Sequence, residues 1–163
     1  MYILVDGANV AFSRKIGKNK ARFANLEIML RFLEGIKANF AIDYEIIADA
    51  TLKHRIDDAS HLEAAYKSGK IIECPAGVKA DEFIIEFVNE NPNDVIVISN
   101  DNFTEYNPEK LPALAFCKFL VIFDAVIILN FKHLFTGTFQ EFESNQDVAM
   151  LNRECINPIT RNK

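Results

Sequence analysis

The chain alternates between short apolar runs and longer amphipathic stretches. Tyr2–Val5 is a continuous apolar run that ends at Asp6, the mark of a buried strand. Residues 23–38 carry Leu26, Met29, Leu30, Leu33 and Ile36 at helical spacing, with Asn25 or a close neighbour as a candidate cap. Tyr44–Ala48 reads as a second strand, ending at Asp49. Lys53-His54-Arg55 then falls in a loop. Asp57 and Asp58 stand where a cap and a favourable helix-dipole charge are expected. The helix they start turns Leu62, Ala65 and Tyr66 to one face and stops at Gly69.

A third strand is read over Lys70–Cys74, followed by a turn at Pro75-Ala76-Gly77. Ala80–Asn89 is the third helix, with Phe83, Ile84, Phe87 and Val88 inward, and Asn91-Pro92-Asn93 stops it. Val95–Ser99 is uniformly apolar, as in a central parallel strand. Residues 119–129 are β-branched and aromatic and read as one or two further strands. Strands alternating with helices imply an α/β fold, a parallel sheet with helices on both faces. The length of 163 residues suits one domain, divided into a body over 1–135 and a polar C-terminal extension or tail over 136–163.

Four carboxylates fall at or near the predicted strand ends. Asp6 follows the first strand, Asp81 opens the third helix, Asp101 follows the fourth strand, and Glu105 comes four residues later, on the same face if that segment is helical. In open α/β sheets, ligands bind beyond the carboxyl ends of the strands, and the first and fourth strands are often neighbours there. The four acids are therefore expected in one cleft, with Asn9 as a neutral arm that orients water or fixes Asp6. Hard oxygen donors of this kind select Mg²⁺ or Mn²⁺ over zinc. Each acid also has an ordinary role open to it: a turn former, a dipole partner, or a cap.

The net charge of −5 argues against a general nucleic-acid coat but leaves room for a local basic patch. Two segments supply one. Arg14, Lys15, Lys18, Lys20 and Arg22 follow the first motif with no acid among them, and Lys53, His54 and Arg55 follow the second strand. Both are candidates for holding backbone phosphates, with a solvated loop as the plain alternative. Phe12, Phe103 and Tyr106 flank the motifs and could stack on bases, although Phe103 reads better as core. Cys74, Cys117 and Cys155 are odd in number and lack metal-ligand spacing, which points to a reducing, cytoplasmic setting. Neither a signal peptide nor a membrane span is read, because acids interrupt the apolar runs.

At this point the residues resemble a known family. VDGANVAF at 5–12, ADEF at 80–83 and ISNDNFTEY at 98–106 are similar to the three motifs of the NYN branch of PIN-like ribonucleases. Within that branch they resemble the nuclease domain of the regnase-type CCCH-finger messenger-RNA endoribonucleases and its stand-alone prokaryotic relatives. The resemblance spans roughly residues 2–106 in order. It implies a Rossmann-like three-layer α/β/α sandwich and metal-dependent endonucleolytic cleavage of single-stranded RNA. Asp6, Asn9, Asp81, Asp101 and Glu105 then form the site, with Mg²⁺ or Mn²⁺ on the four acids.

Three departures stand out. Glu105 occupies the place of an Asp, Ala80 stands where a further Asp is frequent, and the zinc finger that helps the animal enzymes hold RNA has no counterpart here. RNA grip is then expected from this domain or a partner, with a homodimer open.

Competing readings are weaker. A haloacid dehalogenase-type phosphatase needs an acid where Ala8 stands, and a receiver domain needs one where the third strand leads to Pro75. A catalytically silent RNA-binding module and a structure-specific DNA nuclease remain open, although the intact acids disfavour the first and the lack of an arch insertion the second.

Overall fold

In a computed structural model, residues 1–14, 20–106 and 116–129 are described. The strands are β1 (Tyr2–Asp6), β2 (Asp43–Ala48), β3 (Ile72–Glu73), β4 (Val95–Ile98) and β5 (Phe116–Cys117). They form one sheet in the order β3-β2-β1-β4-β5, and every pairing is parallel. The order reverses between β1 and β4, which makes the gap beyond their carboxyl ends the topological switch point.

The helices are α1 (Gly7–Phe12), α2 (Phe23–Asn39), α3 (Ala59–Lys67) and α4 (Ala80–Glu90). Alternation along the strands sends Ile3, Val5, Ile46, Ile96 and Ile98 to one side, where they pack with α1, α2 and α3. It sends Leu4, Ile47, Val95 and Val97 to the other, against Ile84, Ile85 and Val88 of α4. The result is the three-layer α/β/α sandwich expected from the strand–helix alternation.

Local differences have physical causes. The residues after Asp6 wind into α1, with Asp6 as its N-cap. Asn25 is not a cap of its own helix. It is buried within α2, and its amide donates to the carbonyls of Ala11 (3.1 Å) and Arg14 (3.3 Å), closing the C-terminal end of α1. The N-terminus of α2 is capped from afar instead, by Asp57 Oδ1, which accepts from Phe23 N at 2.8 Å. Asp58 alone caps α3, accepting from His61 N. Phe83 points out and Ile85 points in, a rotation of α4 relative to the expected inward face.

Lys53 and His54 sit on a 3₁₀ turn, Ala50–His54, rather than an open loop. Strands β6 (Phe119–Ile122) and β7 (Ala125–Ile128) pair antiparallel as a separate hairpin and do not extend the parallel sheet. Phe119, Val121 and Val126 of this hairpin fill the α1/α2 side of the core. Lys15, Lys18 and all of the proposed extension over 136–163 lie outside the described residues. Among the described residues no helix is long and apolar enough to cross a membrane.

Candidate active site

Asp6 is the last residue of β1 and is 4% exposed. A buried carboxylate needs donors, and it has two. Oδ1 accepts from Asn9 N at 2.9 Å, the first-turn N–H that a helix leaves unpaired. Oδ2 accepts from the Ser99 hydroxyl at 3.0 Å, across the β1–β4 pairing. Burial still dominates and raises the Asp6 pKa to about 6; the two hydrogen bonds oppose the rise, and the charges of Asp81 and Asp101 add to it.

The strand-end loop after β4 is built to hold Asp101. Ser99 Oγ also accepts from Asp101 N at 3.1 Å, so one hydroxyl joins both acids. Asp101 Oδ1 accepts from Phe103 N at 2.9 Å, a local side-chain turn. Phe103 takes φ 50° and is buried in the core on the α4 side. Its left-handed backbone ends any helical continuation from Asp101. The expectation of one helical face shared by Asp101 and Glu105 therefore fails: Glu105 sits on a separate, exposed 3₁₀ turn, Thr104–Tyr106.

Asp81 lies half-buried in the first turn of α4. Its pKa is raised by burial first, then by Asp101 and Asp49, with Lys79 opposing and Glu105 adding a smaller push. The Tyr106 hydroxyl is likewise pushed up by burial and by Asp81, Glu82, Glu105 and Asp101. The charges of Asp81 and Asp101 are thus felt at Asp6, and those of Asp101 and, more weakly, Glu105 at Asp81. Asn9 reaches the residue before Asp101 through its side-chain oxygen, which accepts from Asn100 N at 3.1 Å.

Ser99, Asn100 and Lys118 have no role assigned from the sequence, which leaves Asp49 open between an outer-sphere ligand and a turn residue. Ser99 and Asn100 precede Asp101 within the third motif, and that adjacency was the available signal. Asn100 pairs with Phe119 through both amide atoms, at 2.9 Å each, tying the end of β4 to the hairpin. Asp49 Oδ1 accepts from Ala80 N at 2.7 Å and so caps α4, orienting the turn that carries Asp81. The Lys118 ammonium donates to the Asp101 carbonyl; burial lowers its pKa, and Asp101 opposes the shift. No sequence signal marks Lys118, because only the β4–β5 pairing brings it there.

The basic segments come together in a way their separation hid. Ala21 and Ile56 form a parallel bridge, with Ala21 N donating to Arg55 O and Asp57 N to Ala21 O, both at 2.9 Å. Lys20, Arg22 and Arg55 thus belong to one joined strip. Arg55 lies over the Phe12 ring at 4.5 Å, which occupies one of the aromatics considered for base stacking. Lys53 is paired with Glu73 at 3.5 Å, and His54 is exposed.

The donor chemistry suits a hard divalent cation: the candidate ligands are all carboxylates, and their mutual repulsion would be relieved by positive charge. Among the described residues no three acidic, Cys or His side chains stand close enough to enclose an ion as they are.

Comparison with curated proteins yields no match. The family model described as the Zc3h12a-like ribonuclease NYN domain matches residues 1–122, a stretch that contains all three motifs and every strand end of the site. The chain therefore belongs to the Zc3h12a-like NYN ribonuclease family, related to regnase.

Proposed function

We propose that the protein is a Mg²⁺- or Mn²⁺-dependent endoribonuclease acting on single-stranded RNA at the switch point between β1 and β4. The observation that carries this reading is Asp6. A buried carboxylate whose pKa is raised to about 6 by burial and by two neighbouring acids is costly to the fold. Perturbed acids gathered in one cleft are a mark of functional sites.

In this reading Asp6, Asp81 and Asp101 hold the ion, and Glu105 contributes charge from the rim. When bound, the ion supplies a Lewis acid for the phosphoryl oxygens and the attacking water. The chain's own residues do the positioning. Ser99 and the Asn9 N–H fix both oxygens of Asp6, Asn9 ties α1 to the β4 loop, and Asp49 sets the first turn of α4. Lys118 places a cation beside Asp101 from the protein side. Arg14, Lys20 and Arg55 offset the acidic cleft and hold the RNA backbone.

The test is cleavage of end-labelled single-stranded RNA by purified protein with Mg²⁺, with Mn²⁺ and with EDTA, beside single-stranded DNA of matching sequence. Internal cuts that need the ion and spare DNA are the expected result. Undiminished cleavage in EDTA would remove the metal from the reading. Binding without any cleavage would make this chain a silent RNA-binding member of its family.

A further inference from the structure

The hairpin turn between β6 and β7 carries a feature that the acidic site does not use. Phe123 stands at its tip with 82% of its surface exposed, the most exposed large apolar residue among those described. Two-residue hairpin turns favour Gly, Asn or Asp at positions of positive φ. Phe123 nonetheless takes φ 51°, so an aromatic ring is displayed at a position that disfavours one.

The ring does not stand alone. It borders a cleft of about 280 Å³ lined by Arg14, Arg22, Ala24, Asn25, Ile28 and Asp124. Arg14 Nη1 donates to the Phe123 carbonyl at 3.1 Å, which links the basic segment to the turn. The Arg22 Nε is buried and has no hydrogen-bond partner among the described residues, an unmet donor that an anion would satisfy. Two guanidiniums against the single carboxylate of Asp124 leave the cleft positive.

The cleft also has a fixed relation to the acids. Asn25 closes the C-terminal end of α1, and Asp6 caps its N-terminal end. Six helical residues separate the two ends by about 9 Å at the usual rise per residue. The cleft and Asp6 thus sit at opposite ends of one short helix.

We propose that this cleft is a nucleotide subsite of the single-stranded RNA track, one base stacking on Phe123 and an adjoining phosphate on Arg14 and Arg22. The proposal rests on the reading of RNA as substrate. It gives the preference for unpaired strands a physical basis, since only an unpaired base offers a free face to the ring.

The chain contains no Trp, so Phe123→Trp creates a single selective fluorophore at the site. Titration of this variant with an oligouridylate of about ten nucleotides, in EDTA to keep the strand intact, should quench its emission at the concentrations that saturate binding. Phe123→Ala should weaken binding of the same strand about 5- to 150-fold, the range that removal of one base stack gives. It should raise KM with kcat unchanged and leave the melting temperature near wild type, because the ring is exposed. Uridine monophosphate should quench only at far higher concentration.

Unquenched emission of Phe123→Trp in the RNA complex, or unchanged affinity in Phe123→Ala, overturns the subsite. So does monophosphate that quenches as readily as the oligomer, which would mark a free-nucleotide site, and so does a wild-type protein that fails to bind RNA. If Phe123→Ala does not fold, the titration of Phe123→Trp decides. Quenching by RNA that is never cut sinks the endonuclease reading and keeps the subsite; cleavage indifferent to Phe123 does the reverse.

Discussion

The Ser99 hydroxyl donates to Asp6 Oδ2 at 3.0 Å, joining the end of β4 to the end of β1 across the switch point. The bond favours the charged form of Asp6 against its burial. Ser99→Ala should therefore raise the Asp6 pKa further and move the acidic limb of the pH–activity profile upward. Removing a buried hydrogen bond of this kind costs about 1–3 kcal/mol. A pH–rate profile of the variant with unchanged acidic limb would remove Asp6 from the ionisations that matter.

The same carboxylate sets a pH dependence of stability. Its folded pKa is about 6, above the ordinary aspartate value of 3.8. Between these values the folded state binds the extra proton, so metal-free stability falls as pH rises through this window. The full effect of one such shift is on the order of 3 kcal/mol. Melting in EDTA should thus be higher near the lower end of the window than at neutral pH. Added Mn²⁺ should stabilise the protein most above the Asp6 pKa and progressively less below it, as protons compete for the carboxylates. Differential scanning fluorimetry across pH, with and without Mn²⁺, checks both trends.

Asp101→Asn separates a chemical role from a structural one. Asn retains an oxygen to accept from Phe103 N, so the turn should survive. The substitution removes one charge that raises the pKa of both Asp6 and Asp81. Cleavage should be abolished while thermal stability in EDTA stays level or rises, and the Mn²⁺-induced gain in melting temperature should shrink. Full activity with an undiminished metal shift would leave Asp101 a turn former only.

Gly7 follows Asp6 directly, and the space at its Cα is already taken. A Cβ there would lie 2.9 Å from the Ile47 carbonyl oxygen and 2.9 Å from Ile46 Cγ2. The carbonyl belongs to β2 and cannot turn aside. Gly7→Ala should cost about 1–3 kcal/mol through overpacking. It should reduce activity more than stability alone explains, since α1 carries Asn9 and is capped by Asp6. A variant with normal melting and normal cleavage would show that α1 can shift without disturbing the site.

The joined basic strip predicts a salt effect. Arg14, Lys20 and Arg55 are exposed, whereas Lys53 is paired with Glu73 and Arg22 is partly buried. Replacing Arg14, Lys20 and Arg55 together with Ala should flatten the logarithmic salt dependence of RNA binding by roughly one unit for each phosphate the protein no longer holds. Lys53→Ala should change it less. Filter binding over a salt series distinguishes this from a merely solvated strip, for which slope and affinity would match wild type.

The sequence by itself determined the frame of the site. An apolar run that breaks at Asp6, a uniformly apolar Val95–Ile98, and helical spacing from Leu26 to Ile36 are short-range signals. Each is set by what neighbouring residues must bury, so strands, helices and the parallel sheet were legible. The three motifs lay on that frame at strand ends and a helix start, and so the acids could be named.

What only the tertiary structure decided is how polar groups far apart in sequence satisfy one another. Asn25 closes α1, Asp57 caps α2, Asp49 caps α4, and Asn100 pairs with Phe119. These partners lie 14 to 34 positions apart, and Ser99 and Asp6 lie 93 apart. No local pattern encodes them, because any buried donor needs an acceptor but the sequence does not say which. The same reason hid Lys118 beside Asp101 and Phe123 beside Arg14. The first contact exists because β5 pairs with β4. The second exists because the β6–β7 hairpin folds back against the α1/α2 side of the core, a decision made by burying Phe119 and Val126 rather than by any residue of the site.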